Sequence, residues 1–153
     1  MKYMERPNAI VVHHSLTKDT SSYSWDAIKK YHKETMKWDD IGYHYGVEEV
    51  EGVVRFCVGR PDRYQGAHTK ENNNSIGVCV VGNFDEERLG KEKQEVVVGV
   101  LTWLLRRFKH LTHTDIYPHS FYAPYKSCPG SLFPFDEVIA AVKEKIDNDR
   151  KAF

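Results

Sequence analysis

Ser75–Val81 reads Ser-Ile-Gly-Val-Cys-Val-Val, a continuous apolar run without the alternation of a half-exposed strand. A strand of that kind is covered on both faces, as in the middle of a sheet. Asn8–His13 holds a second short buried strand, in which Ile10-Val11-Val12 is contiguous and β-branched. The helices that would cover such strands are legible too. Lys91–His110 places Val96, Val97, Val100, Leu101, Leu104, Leu105 and Phe108 on one wide stripe at helical spacing. Asp136–Asp147 does the same with Val138, Ile139, Val142 and Ile146. Ser24 is placed to cap a further helix that opens with Trp25-Asp26 and runs to about Lys37. Its apolar face is Trp25, Ile28, Tyr31 or His32, and Met36.

Between these lie Ile41–Val47, a strand rich in aromatic and β-branched residues, and Val53–Val58, joined through a Glu51-Gly52 hairpin turn. Leu16–Ser22 is polar loop, Gly59–Asn74 a long polar surface loop, and Thr112–Phe133 is irregular and rich in Pro, Tyr and Ser. A loop as long as Gly59–Asn74 in a compact domain is more often functional than idle. Helices that alternate with strands indicate the α/β class, and the hairpin makes the sheet mixed. The expected architecture is one domain, residues 1–153, with a mixed central β-sheet flanked by helices.

Composition narrows the function. Lys plus Arg is 22 and Asp plus Glu is 22, so the basic excess usual in a nucleic-acid binder is missing. The longest mostly apolar run, Val96–Leu105, falls short of the about 20 residues that span a bilayer, so no membrane insertion is expected. Met1–Pro7 carries no apolar core of signal-peptide length, which implies synthesis in the cytoplasm without a signal peptide. The three cysteines, Cys57, Cys79 and Cys128, are odd in number and widely spaced, against a disulfide framework. Cys57 and Cys79 sit in strands and are expected to be buried and inert.

No His-Glu-x-x-His and no Cys-x-x-Cys occurs. His110-x-x-His113 reads as a solvated helix end. His13 and His14 end the first strand, and Cys128 follows His119 by nine residues (128 − 119 = 9). Two imidazoles and a thiolate make a sound zinc site with a fourth position open to water. Spacing alone does not establish one: Cys128 also reads as a small buried hydrophobe and His119 as a loop residue.

Five segments, in order, resemble the zinc-dependent N-acetylmuramoyl-L-alanine amidases of the type 2 family, which includes phage-type lysins and peptidoglycan recognition proteins. They are Ala9–Ser15, Trp38–Tyr45, Gly59-Arg60-Pro61, Gly66-Ala67-His68 with Asn74–Val78 and Gly82, and Pro118-His119 through Lys126-Ser127-Cys128-Pro129-Gly130. The resemblance implies a surface groove holding one zinc ion per chain on His13, His119 and Cys128. It implies catalytic roles for Tyr43 and Lys126 at the oxyanion of the tetrahedral intermediate. The proton for the leaving amine then comes from either residue or from zinc-bound water. Two departures stand out. Ser120-Phe121-Tyr122 replaces a segment in which many relatives carry Asp, and the His119–Cys128 gap is about one residue longer than in phage-type relatives.

For His68, contact with substrate or the metal pocket stands beside a plain loop role. Arg60 and Asn74 are candidates to bind the stem peptide, and are also ordinary loop residues. His44, next to Tyr43 on a strand, is expected to face away from the metal and be structural. The implied activity is hydrolysis of the amide between N-acetylmuramic acid and L-alanine, by a monomeric phage or prophage endolysin that reaches the wall on host lysis. A cytoplasmic muropeptide-recycling amidase is the enzymatic alternative. A non-catalytic peptidoglycan-binding module is the other, disfavoured by Cys128 standing together with both histidines and Tyr43.

Overall fold

The computed structural model describes residues 1–18, 20 and 23–152; the expected loop residues Asp19, Ser21 and Ser22 lie outside them. The two apolar runs become β1, Ile10–His14, and β4, Ile76–Val80. They pair in parallel, Ile10 beside Ile76 and His13 beside Cys79. The sheet has five strands in the order β3-β2-β4-β1-β5, with β2 at Tyr45–Val50, β3 at Val53–Val58 and β5 at Ile116–Pro118. Among the described strands, β2 and β3 alone pair antiparallel, so the sheet is mixed as expected. Their hairpin turns at Glu51-Gly52, both at positive φ (53° and 78°), as a tight two-residue turn requires.

The main core lies on one face of the sheet. Ile10, Val12, Val47, Ile76, Val78 and Val80 pack there against α2 (Lys91–Arg107) and α3 (Phe135–Lys151). Of the expected α2 stripe, Val97, Val100, Leu101, Leu104 and Leu105 are buried, while Val96 and Phe108 are partly so. Strand residues alternate between faces, so His13 and Cys79 point the other way. On that face a smaller cluster joins Trp25, Ile41, Cys57, Cys79 and Val81 under α1, Trp25–Lys30.

The local structure differs from the sequence expectation at several points. Ser24 holds the N-cap position of α1 without a side-chain cap; the Glu48 carboxylate accepts the Trp25 N–H at 2.8 Å instead. The helix does not continue regularly to Lys37. It widens into a π-type turn over Tyr31–Thr35, which leaves Tyr31 and Met36 exposed. The π-type turn also carries His32, whose Nδ1 accepts the Gly42 N–H at 3.0 Å. The strand expected from Ile41 starts at Tyr45, because Gly42–His44 bonds with the 59–67 loop as well as with β4. Helix α2 stops at Arg107, so His110 and His113 share no helical face; His110 Nε2 meets the Pro7 carbonyl at 2.7 Å. The cysteines are buried and form no disulfide. Among the described residues, no helix is long and apolar enough to cross a membrane.

Candidate metal centre

Parallel β1 and β4 end side by side, and loops gather at those ends, where open α/β sheets build their clefts. His13 is the residue of β1 that points from this end toward the α1 face. Strand β5 lies on the other flank of β1 and delivers His119 immediately after Pro118. Cys128 comes from the irregular segment that follows. The three side chains are buried, and one ligand atom from each lies within 4.8 Å of the others. The rings of His13 and His119 are 4.3 Å apart. The Cys128 Sγ accepts the His14 N–H at 3.3 Å, which ties the loop to the end of β1.

The proton positions follow from the hydrogen bonds. His68 Nε2 lies 3.1 Å from the Ser75 carbonyl, which can only accept, so Nε2 carries the hydrogen. His68 Nδ1 is then bare and accepts from His13 Nε2–H at 2.9 Å. That leaves the lone pair of His13 Nδ1 free for a metal. The His68 ring lies flat over Gly77, where a Cβ would stand 2.6 Å from it, so a side chain there would displace the ring.

Electrostatics keeps both ligand imidazoles neutral. Burial, then His68 and His119, holds His13 well below its ordinary pKa. Burial and the Lys126 ammonium lower His119. Burial takes His68 down to about 3 and pushes the Cys128 thiol up to about 11. In the metal-free protein the thiol keeps its proton until a metal displaces it.

Around this trio runs a groove of about 530 Å³, lined among others by Tyr43, His68, Asp85, Tyr125, Lys126 and Ser127. Tyr43 packs its ring 5.2 Å from that of His13. Burial and the nearby thiols raise its pKa well above the ordinary value, so it stays a proton donor. Lys126 is exposed, with its ammonium 5.8 Å from the Tyr125 ring. A second cavity of about 440 Å³, lined by Ala27, Ile28 and Tyr31, shares Ser15, His32 and Tyr43 with the first, so the cleft continues along α1.

Other expected residues stand elsewhere. Arg60 is buried and donates to the carbonyls of Ile41, Gln65 and Asp40 at 3.1, 2.8 and 3.3 Å. Its guanidinium knits loop backbone and does not line the groove. Asn74 donates to the Arg6 carbonyl, also away from the groove. His44 is fully buried, Nδ1 accepting from Gly77 and Nε2 meeting the Tyr64 carbonyl at 2.7 Å. His14 turns its ring toward Phe84, whose N–H its Nδ1 accepts, and lines the rim of the groove. Among the further groove residues, His32 and Asp85 carry polar groups that the sequence does not single out. His32 was one of two options for a helical face, and Asp85 sits in a turn with no local signal.

A family model described as N-acetylmuramoyl-L-alanine amidase matches residues 3–131. The endolysin of Escherichia phage T7 is 40% identical over 87 residues, 56% of this chain and 55% of that protein. The endolysin of Enterobacteria phage T3 is 32% identical over 130 residues, 79% of either chain. The alignments thus span about half the length of the first relative and four fifths of the second. Among solved structures, the endolysin amidase LysCS from Clostridium intestinale superposes with a TM-score of 0.75 at 28% identity, covering 91% of this chain and 85% of that one.

Proposed function

The chain belongs to the N-acetylmuramoyl-L-alanine amidase family, and from that membership we propose that residues 1–153 form one amidase domain acting on peptidoglycan. The bond cleaved is the amide between N-acetylmuramic acid and the L-alanine of the stem peptide. The observation that carries this reading is the convergence of His13, His119 and Cys128, from three separate segments, within 4.8 Å.

Two neutral imidazoles and one thiol suit a single zinc ion, and three protein donors leave the fourth position a catalytic site needs. Zinc, when bound, polarises a carbonyl and lowers the pKa of water. The chain's own groups do the rest. His68 occupies His13 Nε2, so Nδ1 is the atom through which His13 would hold the ion. Tyr43, kept protonated, donates to the oxygen that gains charge as the carbonyl is attacked. Lys126 sets a positive charge at the same groove, beside His119 and Cys128. The cleft along α1 takes the stem peptide, and Arg60 and Asn74 serve it indirectly by holding loop backbone in place. The biological role is that of a phage or prophage endolysin, made in the cytoplasm, acting as a monomer on the wall at host lysis. The phage T7 and T3 relatives support that role.

The metal centre is tested by zinc content. Purified wild-type protein is expected to hold one zinc per chain. His13→Ala is expected to hold little, because two protein donors are too few. His14→Ala, whose ring faces Phe84, is expected to keep near-stoichiometric zinc. The reverse pattern contradicts the assignment.

A further inference from the structure

The loop that carries Cys128 and Lys126 has no helix or strand between Phe121 and Phe135, yet both residues must stand accurately beside His13 and His119. Its own turns, such as Lys126 N–H to the Ala123 carbonyl and Gly130 N–H to the Ser127 carbonyl, are braced by another part of the chain. Phe84 and Asp85 follow β4 and are anchored to the sheet: Phe84 is buried, and its N–H is accepted by His14 Nδ1 at 3.2 Å. The Phe84 carbonyl accepts the Leu132 N–H at 2.7 Å. Gly130 lies directly on this backbone at φ +123°, where a Cβ would be 2.5 Å from the Phe84 carbonyl carbon. From that anchor the Asp85 carboxylate reaches into the groove wall. Its Oδ2 accepts the Ser127 hydroxyl at 2.7 Å and its Oδ1 accepts the Ser131 N–H at 2.8 Å.

One carboxylate therefore grips the loop on both sides of Cys128. We propose that Asp85 is a positioning residue of the metal centre, setting where the Cys128 thiolate and the Lys126 ammonium stand. This role rests on the metal reading above. Both bonds are solvent-exposed. Losing them therefore leaves no buried polar group unpaired. The cost falls on the order of the loop, and so on metal affinity, rather than on the folded core. Groups that bond a metal ligand directly typically change metal affinity by about 10–100-fold when removed, and Asp85, which acts through Ser127 and Ser131, is expected at the lower end of that range, about 10-fold.

The test is competitive zinc titration of wild type, Asp85→Ala, Asp85→Asn and Ser127→Ala, with the absorption of the cobalt-loaded proteins as a second readout. Asp85→Ala is expected to bind zinc about 10-fold more weakly and to alter the sulfur-to-cobalt charge-transfer band. The metal-free protein should unfold at the wild-type midpoint. Asp85→Asn keeps a group that can bond both partners and is expected to recover most of the affinity, with Ser127→Ala in between. Wild-type affinity and cobalt spectrum in Asp85→Ala would overturn the role of Asp85 while leaving the metal centre intact. A lower metal-free midpoint with unchanged affinity would overturn it too, as a purely structural effect. A wild-type protein that binds neither ion would overturn the metal centre itself, and the role of Asp85 with it.

Discussion

His13 Nε2 and His68 Nδ1 lie 2.9 Å apart, and the Ser75 carbonyl behind His68 decides the direction of the hydrogen bond between them. Because that carbonyl can only accept, the hydrogen positions along the row are determined as far as the bare Nδ1 of His13. Replacing His68 by Phe breaks the row and frees His13 to take either tautomer. Zinc affinity is expected to fall by about 10–100-fold, measured by competition with a chromophoric chelator. Unchanged affinity would return His68 to the status of a loop histidine.

Tyr43→Phe keeps the ring that packs on His13 and removes only the hydroxyl. Zinc content and melting temperature should stay close to wild type, while turnover on peptidoglycan drops by about 10²–10³, the usual loss for one oxyanion donor. Lys126→Ala is expected to lose rate similarly. Steady-state kinetics on zinc-loaded protein checks both, and wild-type turnover in either variant removes that residue from the catalytic set.

Much of the sheet was legible because its signals are local. The apolar runs in β1 and β4 and the stripe on α2 each declare their burial within a few residues. The hairpin at Glu51-Gly52 is equally local. Strand β5 was not legible, since three residues ending in Pro118 offer no alternation to read. Nor was the π-type turn at Tyr31–Thr35, which carries His32, bonded to Gly42 ten residues away. Arg60 looked like a loop cation; only the folded backbone brings three carbonyls to its guanidinium. The metal trio was suggested by the family's motifs rather than by spacing, because its members meet only through the pairing of β1 with β5 and the return of the late loop.

His44 makes stability depend on pH in a calculable direction. Its neutral ring is satisfied on both nitrogens, and protonation would turn a hydrogen on Nδ1 against the Gly77 N–H. Burial takes its pKa from 6.5 down to about 4. Below pH 6.5 the unfolded chain binds the proton more readily than the folded one. This contribution is therefore fully present above pH 6.5 and is lost as the pH falls through about 4. The loss is on the order of 3 kcal/mol at about 1.4 kcal/mol per pH unit. Urea unfolding of metal-free protein across that range should show it. His44→Gln, which does not titrate, should make the slope shallower without abolishing it, because His13, His68 and His119 are lowered in the same direction, and an unchanged slope would contradict the assignment.

The amidase activity is tested most directly by which bond the protein cuts. Purified peptidoglycan incubated with zinc-loaded protein, and with the same protein after chelation, can be read by mass spectrometry. The expected result is free stem peptides beginning with L-alanine and intact glycan strands, only with the metal, restored when zinc is returned. New reducing sugar ends, cleavage within the stem peptide, or full activity in verified metal-free protein would contradict it.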